Sequence, residues 1–347
     1  MSSSSRTSKS LEKEDEREFM LRNGKILLEK LITSCNGKHN PIRTFTAEEL
    51  KVATNNYDRR NIITKDLLYR VYKGMLEDRP ISVMKFITNM DVEQYCFNCI
   101  VFATQMNHKN VLKFRGYCLG TQIPILVFEF VAYGTLANRI HDTQQSQFEP
   151  FLLKHRLKTA MEIASAVAYL HVGFSRPIVF RDIKPSTILF QEQYVAKFFD
   201  FSVSIIIPEG ETCINDDDKV IGTFGFVAPE YLRTGYCNEK SDVYSFGALL
   251  LELLTGKRIS YSTCFENGEE YYLQELVEKH AEKKKLNEVV DPVIVEEGLW
   301  LEKEPKLLVY TDIALKCLSK SVEERPTMVQ VAKQLKQIYQ SIQTLEL

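Results

Sequence analysis

The chain has no uninterrupted apolar run approaching the ~20 residues that cross a bilayer as a helix; its longest, Val243 to Leu254, is broken by Ser245 and Glu252. Met1 is followed by Ser2 rather than Gly, so the N-myristoylation signal is missing, and no secretory leader precedes the first cysteine. These absences predict no direct membrane anchor and a cytoplasmic location. The eight cysteines, at 35, 96, 99, 118, 213, 237, 264 and 317, are then expected to be reduced thiols rather than a disulfide framework. Cys96 and Cys99 form the one close pair. Without a second pair or histidines at ligand spacing they read as two small apolar residues on a helix, and no zinc is predicted. A dominant charge is lacking too: 44 basic residues face 46 acidic ones, and the short run Lys283 to Lys285 reads as a solvated helix end. Nucleic acid is excluded as a partner on that ground.

At 347 residues the chain exceeds the roughly 250–300 at which one hydrophobic core stops growing, so two lobes are expected. The opening MSSSSRTSKS is polar and reads as unstructured. A charged helix follows from Leu11 to Ile32, interrupted at Asn23 and Gly24. Beyond that interruption Ile26, Leu27, Leu28, Leu31 and Ile32 give a one-sided apolar stripe, which fits packing on the chain's own domain or docking to a partner. Thr46 and Glu49 form a capping box that opens a short helix closing near Asn55 and Asn56. From Ile62 to Phe86 the segments LLYRVYKGML and PISVMKF read as strands joined by EDRP. Helical periodicity takes over at Arg156, with Ala160, Ile163, Ala164, Val167 and Leu170 on one face, and recurs at Asp242–Thr255, Leu273–Lys284, Leu307–Leu318 and Thr327–Ile338. The fold class is therefore α+β, with a small strand-rich N-terminal lobe and a larger helical C-terminal lobe.

Motifs accumulate in one order: VYKG, then MK at Met84 and Lys85, RDIKPS, DFS at Asp200 to Ser202, GTFGFVAPEY, SDVYSFG and EERP. From about Phe45 to Ile338 the chain resembles a bilobal protein kinase of the plant receptor-like type. The stretches QMNHKNVLKFRGYCL and PILVFEFVAYGTL resemble the wall-associated branch most closely. Its length and degenerate nucleotide site resemble the ZRK group of receptor-like cytoplasmic kinases, pseudokinase adaptors of a coiled-coil NLR immune receptor. The resemblance implies an N-terminal extension over 1–44, a kinase-like N-lobe over 45–132 and a C-lobe over 133–347.

Phosphoryl transfer needs little covalent chemistry from the protein, so activity rests on positioning a triphosphate, two magnesium ions and an acceptor hydroxyl. Counted back from Val71, the three glycines of the phosphate-covering loop fall on Thr64, Asp66 and Tyr69. Side chains there obstruct the close approach of backbone to phosphate that glycine permits. Lys85 is taken as the phosphate-holding strand lysine, yet nine residues before His108 its glutamate partner is replaced by Cys99, and Glu93 lies on another helix face. In the catalytic loop Asp182 can accept a hydroxyl proton, or can serve only to hold the loop backbone; Lys184 can neutralise the transferring group. Phe180 replaces the usual histidine. Thr187 replaces the asparagine of the second magnesium site with a single short oxygen. Asp200 is retained for magnesium, and Ser202 stands where glycine would follow Phe201. Arg181 precedes the loop aspartate, where the resemblance places an arginine that meets negative charge in the activation segment. Asp216, Asp217 and Asp218 supply such charge unless they form only a solvated acidic loop. The structural residues Glu230, Arg325 and Asp242 are all present.

The resemblance thus implies an adaptor whose partners are an NLR immune receptor and other receptor-like cytoplasmic kinases carrying pathogen-made modifications. It implies no cofactor, and recruitment to the plasma membrane only through partners. The alternative is a slow serine/threonine kinase using Asp182, Lys85 and Asp200 with ATP and Mg2+.

Overall fold

A computed structural model describes residues 4–35, 42–87, 92–141, 149–215, 220–259, 263–266 and 269–345. They belong to two compact units, one of Met1–Asn107, Val111–Gly134 and Phe199–Val203, the other of His108–Asn110, Thr135–Phe198 and Ser204–Leu347. The fold is α+β, with the six-stranded sheet in the first unit and most helices in the second.

The first unit begins with helix α1, Ser4–Cys35. It starts within the serine-rich opening that reads as unstructured; once a helix is nucleated, each added residue brings its own hydrogen bond, so a polar end can extend it. Nor does the expected interruption occur. Asn23 is fully buried, and its side-chain amide donates to the carbonyls of Leu119 and Thr121, both at 2.8 Å. A residue that competes with helix in isolation here clamps the helix to its neighbour. Leu27 and Leu31 are buried on the same side, so the stripe packs on the helix's own unit, whereas Leu28 and Ile32 are 59 % and 55 % exposed.

A six-stranded sheet follows. In chain order its strands are β1 Arg43–Thr44, β2 Ile62–Lys65, β3 Tyr69–Leu76, β4 Arg79–Phe86, β5 Phe114–Cys118 and β6 Ile125–Glu129; their spatial order is β1-β5-β6-β4-β3-β2. Helix α2, Ala47–Ala53, covers one face. Its capping box forms as predicted: the Thr46 N–H donates to Glu49 at 2.8 Å and the Glu49 N–H donates back to the Thr46 hydroxyl at 3.2 Å. The loop between β3 and β4 is tighter than EDRP. Glu77 and Asp78 alone turn the chain, both at positive φ, which matches the twist of a two-residue hairpin. Helix α3, Glu93–Ala103, buries Cys96, Phe97, Cys99 and Ile100.

The second unit is built on α4 Leu136–His141, α5 Leu153–Val172, α6 Pro229–Thr234, α7 Glu239–Thr255, α8 Leu273–Glu282, α9 Pro292–Glu296, α10 Trp300–Cys317 and α11 Met328–Gln343. Short strands β7 Ile178–Val179, β8 Ile188–Glu192 and β9 Val195–Phe198 flank the RDIKPS loop. On α11 Val331, Leu335, Ile338 and Ile342 recur at helical spacing, and this face lies along α5. Arg325 is fully buried and doubly paired with Glu230, both contacts at 2.7 Å, so two segments 95 residues apart are joined by a fork-on-carboxylate contact.

Candidate functional site

Strand alternation decides where the residues of β4 stand. Val71 pairs with Met84, and Arg70 with Lys85. Ile81 and Val83 lie under α2 with Val127 and Ile125, and Lys85 continues their row at the next alternate position. Its ammonium stands 4.0 Å from the centroid of the Tyr57 ring, a cation–π contact on that same face. Burial, with Lys51 nearby, holds the Lys85 ammonium below its ordinary lysine value. The expectation for Lys85 therefore requires correction. The opposite face carries Val71, Ser82 and Met84, all buried; a kinase's strand lysine closes a V-A-I-K motif, and with that lysine placed on the face of Val71 the motif falls on Ile81, Ser82, Val83 and Met84. A thioether carries no charge to offer a phosphate. Reading the motif one residue earlier would have found this; two adjacent residues, methionine then lysine, hid it.

The loop residues bear the same message. Thr64 pairs with Val71 in the hairpin. Asp66 sits at the turn, where its N–H donates to the Tyr69 carbonyl at 2.9 Å, while Leu67 at the tip is 82 % exposed. Tyr69 points inward and is 2 % exposed; its ring meets Phe86 edge-on at 5.7 Å and Phe199 at 5.9 Å. Just past β6 the Val131 N–H donates to the Ser82 hydroxyl at 3.1 Å, so this main-chain donor is satisfied from within.

Asp200 is buried in the first unit, and its carboxylate accepts the Ser202 N–H at 3.0 Å. Beside it lies Cys99, fully buried; burial, reinforced by the Asp200 charge, pushes its thiol well above the ordinary range. A neutral thiol thus takes the place of the expected glutamate. Asn98 donates its amide to the carbonyls of Phe201 at 3.2 Å and Ser202 at 2.8 Å, fixing the DFS segment to α3. Glu93 is engaged elsewhere, by Arg22 at 2.7 Å.

Asp182, Lys184 and Thr187 are brought together in the second unit. The Lys184 ammonium pairs with Asp182 at 2.7 Å and donates to the Thr223 hydroxyl at 3.1 Å, and that hydroxyl donates to Asp182 at 2.8 Å. Thr223 belongs to GTFGFVAPEY, but no local pattern assigns it this part. Thr187 is 1 % exposed, its oxygen within 3.0 Å of the Asp182 carbonyl and 2.9 Å of the Lys184 carbonyl. That hydroxyl is turned back onto the loop, a placement suited to backbone support rather than to a magnesium ion in solvent. Asp242 braces the loop from below: it accepts the N–H groups of Phe180 at 2.8 Å and Arg181 at 2.9 Å, with His171 at 2.9 Å. Arg181 is held at φ +71, and its guanidinium lies 3.5 Å from the Tyr231 hydroxyl. Asp216, Asp217 and Asp218 lie outside the described residues. Asp182 in the second unit and Asp200 in the first are each retained as carboxylates, whereas Met84 brings no charge and Tyr69 is a packed ring rather than a glycine.

The family model for the protein kinase domain matches residues 69–336. Over 95 % of its length the chain is 37 % identical to serine/threonine-protein kinase ZRK1 of Arabidopsis thaliana, covering 95 % of that protein. It is 38 % identical to the non-functional pseudokinase ZRK2 of the same plant, over 95 % of this chain and 94 % of ZRK2. The non-functional pseudokinase ZED1, also of Arabidopsis thaliana, is 38 % identical over 93 % of this chain and 96 % of its own. With kinase-type loop, brace and ion pair in place and relatives of this kind matched along nearly their whole length, the chain belongs to the protein kinase family, in its ZRK group.

Proposed function

We propose that the chain is a pseudokinase adaptor of plant innate immunity, linking an NLR receptor to partner receptor-like cytoplasmic kinases that pathogen effectors have modified. The observation that carries the reading is Met84 in the place of the strand lysine. The packed ring of Tyr69 at a glycine position and the neutral Cys99 in place of glutamate add to it. The strand lysine, the glutamate that would orient it and a glycine of the phosphate cover are all replaced, while the Asp242 brace and the Glu230–Arg325 pair that maintain the fold are kept. An adaptor needs only the second set. Two relatives named non-functional pseudokinases support the same reading.

The test is a thermal shift with ATP and Mg2+. A ligand at about 100 times its dissociation constant stabilises the folded state by about 2.7 kcal/mol, and this protein is expected to gain nothing. A magnesium-dependent rise in melting temperature would sink the proposal. The contacts of Asp182 with Lys184 and Thr223 favour a second reading, a slow serine/threonine kinase, because that carboxylate is still held in an ordered loop. Association is tested separately, by co-precipitation with a coiled-coil NLR from plant tissue. Failure to recover any such receptor would remove the adaptor role even for a protein that ignores ATP.

A further inference from the structure

We infer that Tyr69 acts as a tethered internal ligand: its ring takes up the space beneath the β2–β3 turn and holds the Phe199–Ser202 segment in place without nucleotide. This rests on the pseudokinase reading and extends it to the regulation of the same site.

Tyr69 opens β3, directly opposite Phe86 of β4, on the face that also carries Val71 and Met84. An aromatic side chain at a turn is ordinarily free to swing into water. This one is 2 % exposed, whereas Leu67, two residues earlier, is 82 % exposed, so the ring is drawn inward while the tip of the turn is not. Two rings receive it edge-on, Phe86 at 5.7 Å with planes at 63° and Phe199 at 5.9 Å with planes at 87°. Both geometries put a positive ring edge against a negative face, the preferred arrangement of aromatic pairs. Phe199 is the residue before Asp200. The ring therefore packs directly onto the segment that would carry a metal-binding carboxylate, from the side of the turn that would cover phosphate.

The same segment is held from the α3 side by the Asn98 amide, which donates to the carbonyls of Phe201 and Ser202, and by the buried Cys99 thiol beside Asp200. Tyr69 thus supplies the wall that a bound ligand would otherwise supply. A tethered group binds at high effective concentration and loses no translational freedom on doing so. The segment's order consequently does not depend on any nucleotide concentration.

The experiment compares the wild-type chain with Tyr69→Ala by thermal melting, circular dichroism and hydrogen exchange at residues 199–203, with and without millimolar phenol, which reproduces the deleted ring and hydroxyl. Tyr69→Ala is expected to melt lower and to exchange roughly a hundredfold faster at 199–203, the outcome of removing a buried ring from a locally opening segment. Added phenol is expected to raise the variant's melting temperature and slow that exchange while leaving wild type unmoved. If Tyr69→Ala does not fold, Tyr69→Leu replaces it; that variant keeps apolar bulk without a ring edge and is expected to exchange faster at 199–203 with little change in melting temperature. Unchanged exchange at 199–203 in whichever variant folds, or equal responses of wild type and Tyr69→Ala to phenol, would overturn the inference and leave the pseudokinase reading standing. An ATP–Mg2+ shift in wild type would overturn both.

Discussion

Asp182→Asn separates adaptor from enzyme with almost no change in shape. The carboxylate accepts from Lys184 at 2.7 Å and from Thr223 at 2.8 Å, and the ion pair is largely buried, with side-chain exposures of 14 % and 15 %. An asparagine keeps one oxygen, so it can retain one of these contacts but not the charge. Losing a charge-assisted hydrogen bond and the Lys184–Asp182 ion pair should cost about 1–3 kcal/mol. For a domain of this size each kcal/mol lowers the melting temperature by roughly 2–4 °C. The variant should therefore melt measurably lower, yet remain folded at growth temperature with an unchanged circular dichroism spectrum. A proton-accepting residue, by contrast, contributes about 10²- to 10⁴-fold to a rate. If the protein acts through folded surface, an NLR-dependent defence response reconstituted in leaf tissue should be the same with wild type and Asp182→Asn. A folded variant, melting within the stated range, that abolished the response would refute the adaptor reasoning.

Arg325→Met should destabilise the protein by about 3 kcal/mol in urea unfolding, because it leaves Glu230 charged and unpaired in a partly buried setting, and adding Glu230→Gln should recover part of that loss. Leu27→Glu should cost about 3 kcal/mol or more, since it drives a charge into a packed site, whereas Leu28→Glu, one residue on but 59 % exposed, should stay within about 0.5 kcal/mol; equal melting temperatures would contradict the packing of α1. The His108 imidazole, which stacks on Tyr169 and lies 3.4 Å from the Ser165 hydroxyl, is held below its ordinary value by burial and by Lys109. The unfolded chain then binds the extra proton first, so stability should rise with pH through the window just below 6.5 and fall as pH drops through it; an NMR titration midpoint at or above 6.5 would exclude that contribution.

Wherever a local rule leads to one outcome, the sequence by itself was decisive. The Thr46–Glu49 capping box, the strands LLYRVYKGML and PISVMKF and the helical stretch from Asp242 depend on neighbours a few residues away, and they formed within a few positions of where periodicity put them. The order of motifs, from RDIKPS to EERP, was enough to specify the family fold. Side-chain placement required the tertiary structure. Which of two adjacent residues, Met84 or Lys85, faces Val71 depends on register, and a shift of one residue moves a side chain to the opposite face of a sheet. The helix through Asn23 and Gly24 survives because carbonyls nearly a hundred residues away receive the asparagine amide. Thr223 joins Asp182 across 41 residues of chain, a contact no local pattern encodes. Tyr69 reads on paper as an obstacle to phosphate; only its packing on Phe86 and Phe199, residues far apart in sequence, turns it into a structural part of the fold.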